Sequence, residues 1–388
     1  MNNFSIKNLF EFNKTPLNLL VAVLGIVLLG AFLAGAAYYI LHGHHAFNVT
    51  RQHPWGLLIA MYVFFVVSST GLCIISSIGH VFGVEEFQQI GKRAIAGAII
   101  TLLSGFAVIA LEVGHPVTMI IYNVLTPGFT SAIWWMGTLY GIYLVFITIE
   151  FFFLTIKVDH KWSKIFGIGG LLSGLAAHSN LGAVFGFLIS RPTANGVFYP
   201  VYFILSAMIT GCYLLYIIYG FKYRNDYPEQ LKAMFLKLNK ILGMLLGILI
   251  FFEAWKIITA LYGTMPERAE TILHVISSPT FIFGEVLLGM LIPFAIILFT
   301  NGQAIKPMVY ASLTGMIGIF FMRYDLVHDT LIYPMTMLKR SEYQLPPTFL
   351  EYFPSATEFA IGFGGIGITI FLFYVAEKVF NLDPDREH

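Results

Sequence analysis

Apolar runs of about twenty residues recur along almost the whole chain, and each is long enough to cross a hydrocarbon layer of ~30 Å. Between charged or Pro/Gly-rich breaks they fall at about 19–41, 56–83, 94–115, 132–156, 165–190, 197–221, 241–262, 275–299, 305–328 and 357–380. Inside lipid a segment must satisfy its own backbone hydrogen bonds, so only helices or closed barrels qualify. The runs lack the alternation of a barrel strand. An all-α, polytopic transmembrane bundle of about ten spans is expected. Composition agrees: 57% of residues are hydrophobic and 11% charged, more apolar surface than a water-soluble core buries.

Most of the 22 Lys and Arg residues lie on the side that holds the N-terminus, which places both termini in the cytoplasm. Lys7 and Lys14 precede the first run, which is too long for a signal-peptide core and is read as a retained helix. The expected organisation is a cytoplasmic tail at 1–18, a membrane domain at 19–380 and a tail at 381–388. Within the domain, 56–190 and 197–328 form two bundles. Glu112 and Glu150 on spans three and four match Glu253 and Glu285 on spans seven and eight, which a four-helix duplication and chance both accommodate.

The outer face then carries His42, His44, His45 and His53, the loops 116–131 and 191–200, and the long connection 329–356. Such segments either dock a partner or cover the bundle. Cytoplasmic residues 222–240 are basic, which fits a topology determinant touching anionic lipid. A net charge of +1 without a basic stripe gives nucleic acid no footing. Cys73 and Cys212 fall inside spans as small apolar residues.

The stretch from His53 to Gly71 combines an interface anchor, Trp55, with Tyr62 and a face of small residues, Ser68, Ser69, Thr70 and Gly71, where another helix can approach. It reads as the wall of a buried site.

Ionisable residues in a bilayer cost at least ~2–3 kcal/mol each, so they direct attention to function. Here they are Glu112, Glu150, His178, Glu253, Lys256, Glu285, Arg323 and Asp325. Counted at ~1.5 Å per residue from the cytoplasmic edge, Glu112 lies about 28 Å and His178 about 21 Å in, so both belong to the outer part. Glu253 with Lys256, and Arg323 with Asp325 or a neighbouring carboxylate, fit either structural pairing or proton transfer. Glu150 is the carboxylate of the inner half, suited to a proton relay or to a bond with a Ser or Thr. His178 fits a ligand contact or a core hydrogen bond. The histidines offer no matched axial pairs for two haem layers, and no Cys cluster suits iron–sulfur ligation, so no metal, haem or iron–sulfur cluster is expected in this chain.

Several motifs together resemble the NrfD/polysulfide-reductase family of membrane subunits, in its longer, ten-helix branch. They are Pro54-Trp55-Gly56 with Tyr62 and Gly71; Leu111-Glu112-Val113-Gly114-His115-Pro116; Thr130-Ser131-Ala132-Ile133-Trp134-Trp135; His178-Ser179 with Gly182; and Glu285 with Leu288-Gly289 and Pro293. The family's third-span motif commonly reads Leu-Asp-Leu-Gly-Arg-Pro; Glu112 keeps its carboxylate, whereas His115 replaces a permanent charge.

The resemblance implies the quinone-reactive subunit of a multi-subunit respiratory oxidoreductase in a bacterial or archaeal cytoplasmic membrane. It would exchange electrons between menaquinol and a periplasm-facing, ferredoxin-like iron–sulfur subunit, with a further catalytic or multihaem subunit on the same face. Its quinone pocket would involve Tyr62, His178, Ser179, Trp134, Trp135, Ser131 and Glu112, with Glu112 and His178 as the catalytic pair. Glu150, Glu253, Glu285, Arg323 and Asp325 would relay protons. The alternative from another class is an ion-coupled secondary transporter using Glu253, Lys256 and Glu285; against it, the halves show no matched pair of Gly/Pro-interrupted spans.

Overall fold

A computed structural model describes residues 15–156, 160–194, 196–224, 226–263, 265–334, 349–380 and 382–383. Most of both tails and residues 335–348 of the long connection lie outside the described residues. The described chain is helical: α1 (Pro16–His42), α2 (Leu57–His80), α3 (Gly91–Glu112), α4 (Pro116–Leu125), α5 (Ala132–Ile156), α6 (His160–Gly186), α7 (Phe198–Tyr223), α8 (Glu229–Leu261), α9 (Pro266–Ile276), α10 (Thr280–Phe299), α11 (Lys306–Leu331) and α12 (Ala356–Val379).

Among the described residues nine helices are long and apolar enough to span a membrane. The sequence reading placed a tenth at α11, a 26-residue helix whose run is interrupted by Arg323, Asp325 and Asp329. The expected span 275–299 is divided: α9 ends at Ile276 and α10 starts at Thr280. The 329–356 connection is also shorter than expected, because α11 continues to Leu331.

Helices α2, α3, α5 and α6 pack around one another as a ring, and α7, α8, α10 and α11 form a second. α7 and α11 both lean on α2, and α7 also meets α6, so α7 is the wall the two rings share. α1 and α12 pair with each other, and α12 lies on α3. Nearly every residue of α2 is buried, whereas α1 exposes most of its apolar surface. α1 leads away from the end of residue 15, called here the near end, and α2 starts from the opposite, far end.

The seam between the rings depends on a close approach. A Cβ on Gly71 of α2 would collide with the Ala207 carbonyl of α7, and one on Gly211 of α7 would collide with the backbone of Gly71. The small-residue face expected on α2 therefore receives α7. In apolar surroundings such contact maximises dispersion between backbones, because burial against lipid supplies little drive.

Helix α10 starts with a π-type segment, Thr280–Leu291, and Pro293 follows it. Proline has no N–H to offer the carbonyl four residues back, at Gly289. The Tyr213 hydroxyl of α7 donates to that oxygen at 2.9 Å, so the gap in the ladder is closed from the neighbouring helix. At the start of α12, Ser355 and Glu358 form a reciprocal capping box.

Candidate functional site

The first ring holds a buried tyrosine–histidine pair. Tyr140 of α5 and His178 of α6 each sit eight residues below the far end of their helix, roughly 12 Å down, which brings them level. The Tyr140 hydroxyl lies 2.9 Å from Nδ1 of His178, and both side chains are fully buried. Nε2 of His178 has no hydrogen-bond partner. If the phenol donates to Nδ1, Nε2 carries the proton, and the Phe203 backbone of α7 is among the polar groups near the ring. Tyr62 of α2 stands edge-on to Tyr140 at 6.4 Å between ring centroids. Tyr143, one turn further along α5, donates to the Ser69 carbonyl of α2 at 3.1 Å.

The structure thus brings Tyr62 and His178 into one cluster and adds Tyr140. Of the other expected pocket residues, Glu112, Ser131, Trp134 and Trp135 lie elsewhere. Glu112 ends α3, half-buried, with one carboxylate oxygen enclosed and unpartnered. Its electrostatic neighbours are Glu358 and Tyr39, on α12 and α1. Trp134 donates its indole N–H to the Asn123 carbonyl at 2.7 Å, and Trp135 donates to the Phe129 carbonyl at 2.9 Å. The Ser131 hydroxyl accepts from the Trp134 amide at 3.3 Å. These three residues fasten the segment around α4 to the top of α5. Ser179 is half-buried on α6, beside His178.

At the near end of the same ring Glu150 contacts Nε2 of His80, and neither side chain is appreciably exposed. The partner is an imidazole rather than the Ser or Thr weighed from the sequence. The glycine face of α6 makes the room: a Cβ on Gly167 or Gly170 would press on the Glu150 carboxylate.

The second ring concentrates charge. Lys256 and Glu253 of α8 pair at 2.5 Å, three residues apart, as the spacing allowed. Tyr202 of α7 donates to Glu285 of α10 at 3.1 Å. Arg323 and Asp325 are not paired. Arg323 donates one nitrogen to the Ser206 hydroxyl, its Nε and Nη1 have no hydrogen-bond partner, and Oδ2 of Asp325 has none. The reason is direction: two positions apart on a helix, the side chains diverge by about 200°. Beside these groups lies a cavity of about 30 Å³, lined by Tyr199, Tyr202, Lys256, Glu285, Asp325 and Asp329 and also by apolar residues such as Ile272, Phe281 and Met322, room for a water or two.

A third network closes the far end. Nε2 of His53 lies 3.1 Å from Nδ1 of His328, and His53 stacks on Tyr352 at 4.5 Å. The Tyr352 hydroxyl accepts from the Leu57 amide at 2.8 Å and donates to Glu358, whose other oxygen accepts from the amides of Asn48 and Ser355. His53, read from the sequence as an outer-loop residue, is only 2% exposed. Burial lowers its pKa to about 4, so it is neutral near pH 7. Arg93, taken from the sequence as a cytoplasmic edge, is fully buried and bonds to Glu377 and Asp383.

Sequence reasoning missed Tyr140, Tyr202, His80 as the Glu150 partner, and Asp329 as a cavity residue. A tyrosine within an apolar run looks like packing, and only the buried histidine or carboxylate facing it reveals a role. Among the described residues no group of three His, Cys, Asp or Glu is placed to hold a metal ion.

Long packed helices with hydrogen-bonding and ionisable groups in their interior define a polytopic membrane protein. More particularly, the chain belongs to the polysulphide reductase NrfD family, whose model matches residues 45–334. That match covers α2 to α11 and leaves α1 and α12 outside. One subunit of the selenate reductase of Mesobacillus selenatarsenatis is 25% identical over 86% of this chain and 88% of its own length. The Hdr-like menaquinol oxidoreductase integral membrane subunit of Archaeoglobus fulgidus is 25% identical over 93% of each chain. The protein is a multi-pass integral membrane subunit of a respiratory oxidoreductase.

Proposed function

We propose that the chain binds a quinol of the menaquinone class in the first ring and passes two electrons per quinol to an iron–sulfur partner docked on the far end, releasing two protons. The Tyr140–His178 pair carries this reading, since it leaves an imidazole nitrogen without a side-chain hydrogen-bond partner in a buried cluster that also holds Tyr62. A quinol needs a hydrogen bond at each oxygen and an acceptor for each proton. His178 and Tyr62 supply the first requirement, and Glu112 with its free carboxylate oxygen takes a proton toward the far end. The similarity to the Hdr-like menaquinol oxidoreductase integral membrane subunit of Archaeoglobus fulgidus supports the choice of quinol.

Glu150 with His80, and Glu253, Glu285, Arg323 and Asp325 in the second ring, serve proton movement. A second-ring cavity of about 30 Å³ suits the waters that such proton movement needs. The far end faces the periplasm, with both termini in the cytoplasm.

The test is equilibrium binding of a fluorescent menaquinol analogue to the purified complex, comparing wild type with His178→Ala. Saturable binding that weakens at least tenfold in the variant is expected. Equal affinity in a folded variant overturns the assignment.

A further inference from the structure

The two rings meet at a buried cation that belongs to neither site alone. Arg323 has no exposed surface, and its guanidinium carbon lies 4.7 Å from the centre of the Phe203 ring and 5.8 Å from that of Tyr202. His178 packs on the same Phe203 ring at 5.4 Å between centroids. Tyr202 in turn donates to Glu285. Phe203 therefore contacts both the cation and the first-ring imidazole, and Tyr202 both the cation and the second-ring carboxylate.

Two adjacent residues of α7 thus present one cation to both rings. A helical step of 100° fans Tyr202 and Phe203 toward different neighbours, while Arg323 of α11 faces the pair from a third side. Its electrostatic neighbours come from both rings: Tyr140 from the first, Tyr202 and Glu285 from the second, and His178 includes Arg323 among its own. The guanidinium is also incompletely bonded, with Ser206 as its one hydrogen-bond partner and with Nε and Nη1 free. A cation held by ring faces and one hydroxyl responds to nearby charge more readily than one locked in a bidentate carboxylate pair.

We propose that Arg323 is the positioning residue that couples the rings: the charge on Glu285 acts through Arg323 on the hydrogen-bonding state of His178, so second-ring protonation adjusts quinol oxidation. The inference rests on the quinol reading above. The charged and titratable groups facing Arg323 are Tyr202 of α7, Glu285 of α10, Tyr140 of α5 and His178 of α6. Glu253 and Lys256 of α8 lie behind Glu285, and Asp325 and Asp329 lie on its own helix. Lys256, engaged by Glu253, also lies 5.8 Å from the centre of the Tyr202 ring and neighbours Glu285, whereas Arg323 is the cation that neighbours both Glu285 and His178.

The experiment uses the intact complex in membrane vesicles, with reduced 2,3-dimethyl-1,4-naphthoquinone as donor, and reads the pH midpoint of kcat/KM. A unit charge removed ~10 Å away at an effective dielectric of ~20 changes a proton affinity roughly tenfold, so Glu285→Gln should move the midpoint by about one pH unit. In an Arg323→Met background the same substitution should give a clearly smaller shift, the remainder being the direct interaction across that distance, and in Arg323→Lys the full shift should persist. Ser206→Ala loosens the guanidinium with little change in volume and should shrink the shift, which keeps the proposal open to test where Arg323→Met fails to assemble. An equal shift with and without Arg323, an undiminished shift in Ser206→Ala, or no shift in wild type overturns it. His178→Ala separates the two readings: a folded variant with normal quinol oxidation removes the site and the coupling together, whereas an inactive one beside a failed shift removes the coupling alone.

Discussion

The Tyr140 hydroxyl and Nδ1 of His178 lie 2.9 Å apart across antiparallel helices, and the histidine is left with one nitrogen unengaged inside the first ring. The phenol fixes the imidazole's orientation. Removing it with Tyr140→Phe deletes one neutral hydrogen bond, worth ~0.5–1.5 kcal/mol. Quinol-analogue affinity should fall roughly twofold to tenfold, less than in His178→Ala. A Tyr140→Phe loss larger than that of His178→Ala in a titration would place the ligand contact on the phenol instead.

The buried contact between His80 and Glu150 makes a different prediction. Removing one partner of a buried polar contact leaves the other unsatisfied at a cost of ~1–3 kcal/mol, whereas replacing both with apolar groups can be nearly neutral. Glu150→Leu should therefore lower the melting temperature in detergent by several degrees, and His80→Leu with Glu150→Leu should recover most of it. Proton uptake during turnover, measured on the recovered double variant, then reports whether the pair relays protons.

Glycines on the two sides of the molecule should behave oppositely. Gly71→Leu drives a side chain into the α7 backbone and should abolish accumulation of folded protein. Gly30 of α1 has open space where a Cβ would sit, so Gly30→Ala should be tolerated and stabilise α1 by up to ~0.5–1 kcal/mol. Thermal melting of the two variants side by side checks both signs.

His53 gives the far end a pH dependence. Burial depresses its folded pKa to about 4 from 6.5, so the unfolded chain binds the extra proton first. Its contribution to stability is complete above pH 6.5 and is lost as pH falls toward 4. Melting temperature should decline across that interval, and His53→Gln should decline less steeply. Parallel profiles would show that His53 is not the group responsible.

The helical class and most span positions were legible because each apolar run must satisfy its own backbone in lipid. α11 shows the same logic from the other side: its length identified it in sequence, while Arg323, Asp325 and Asp329 lower its apolar character. The Glu253–Lys256 pair was readable from a three-residue spacing. Tyr140 was not, since its role depends on α5 and α6 lying level, which no local pattern encodes. Glu150 illustrates the same limit, because its partner lies seventy residues away on α2.

The shared wall α7 presents Tyr202 to a carboxylate, Phe203 to an imidazole and a guanidinium, Gly211 to a backbone and Tyr213 to a broken helix. One inserted or deleted residue near its start would turn everything beyond it by 100° and displace it by 1.5 Å. Every one of those appointments would then be missed unless a bulge absorbed the phase error. α7 should therefore refuse changes of length as firmly as it refuses a side chain at Gly211.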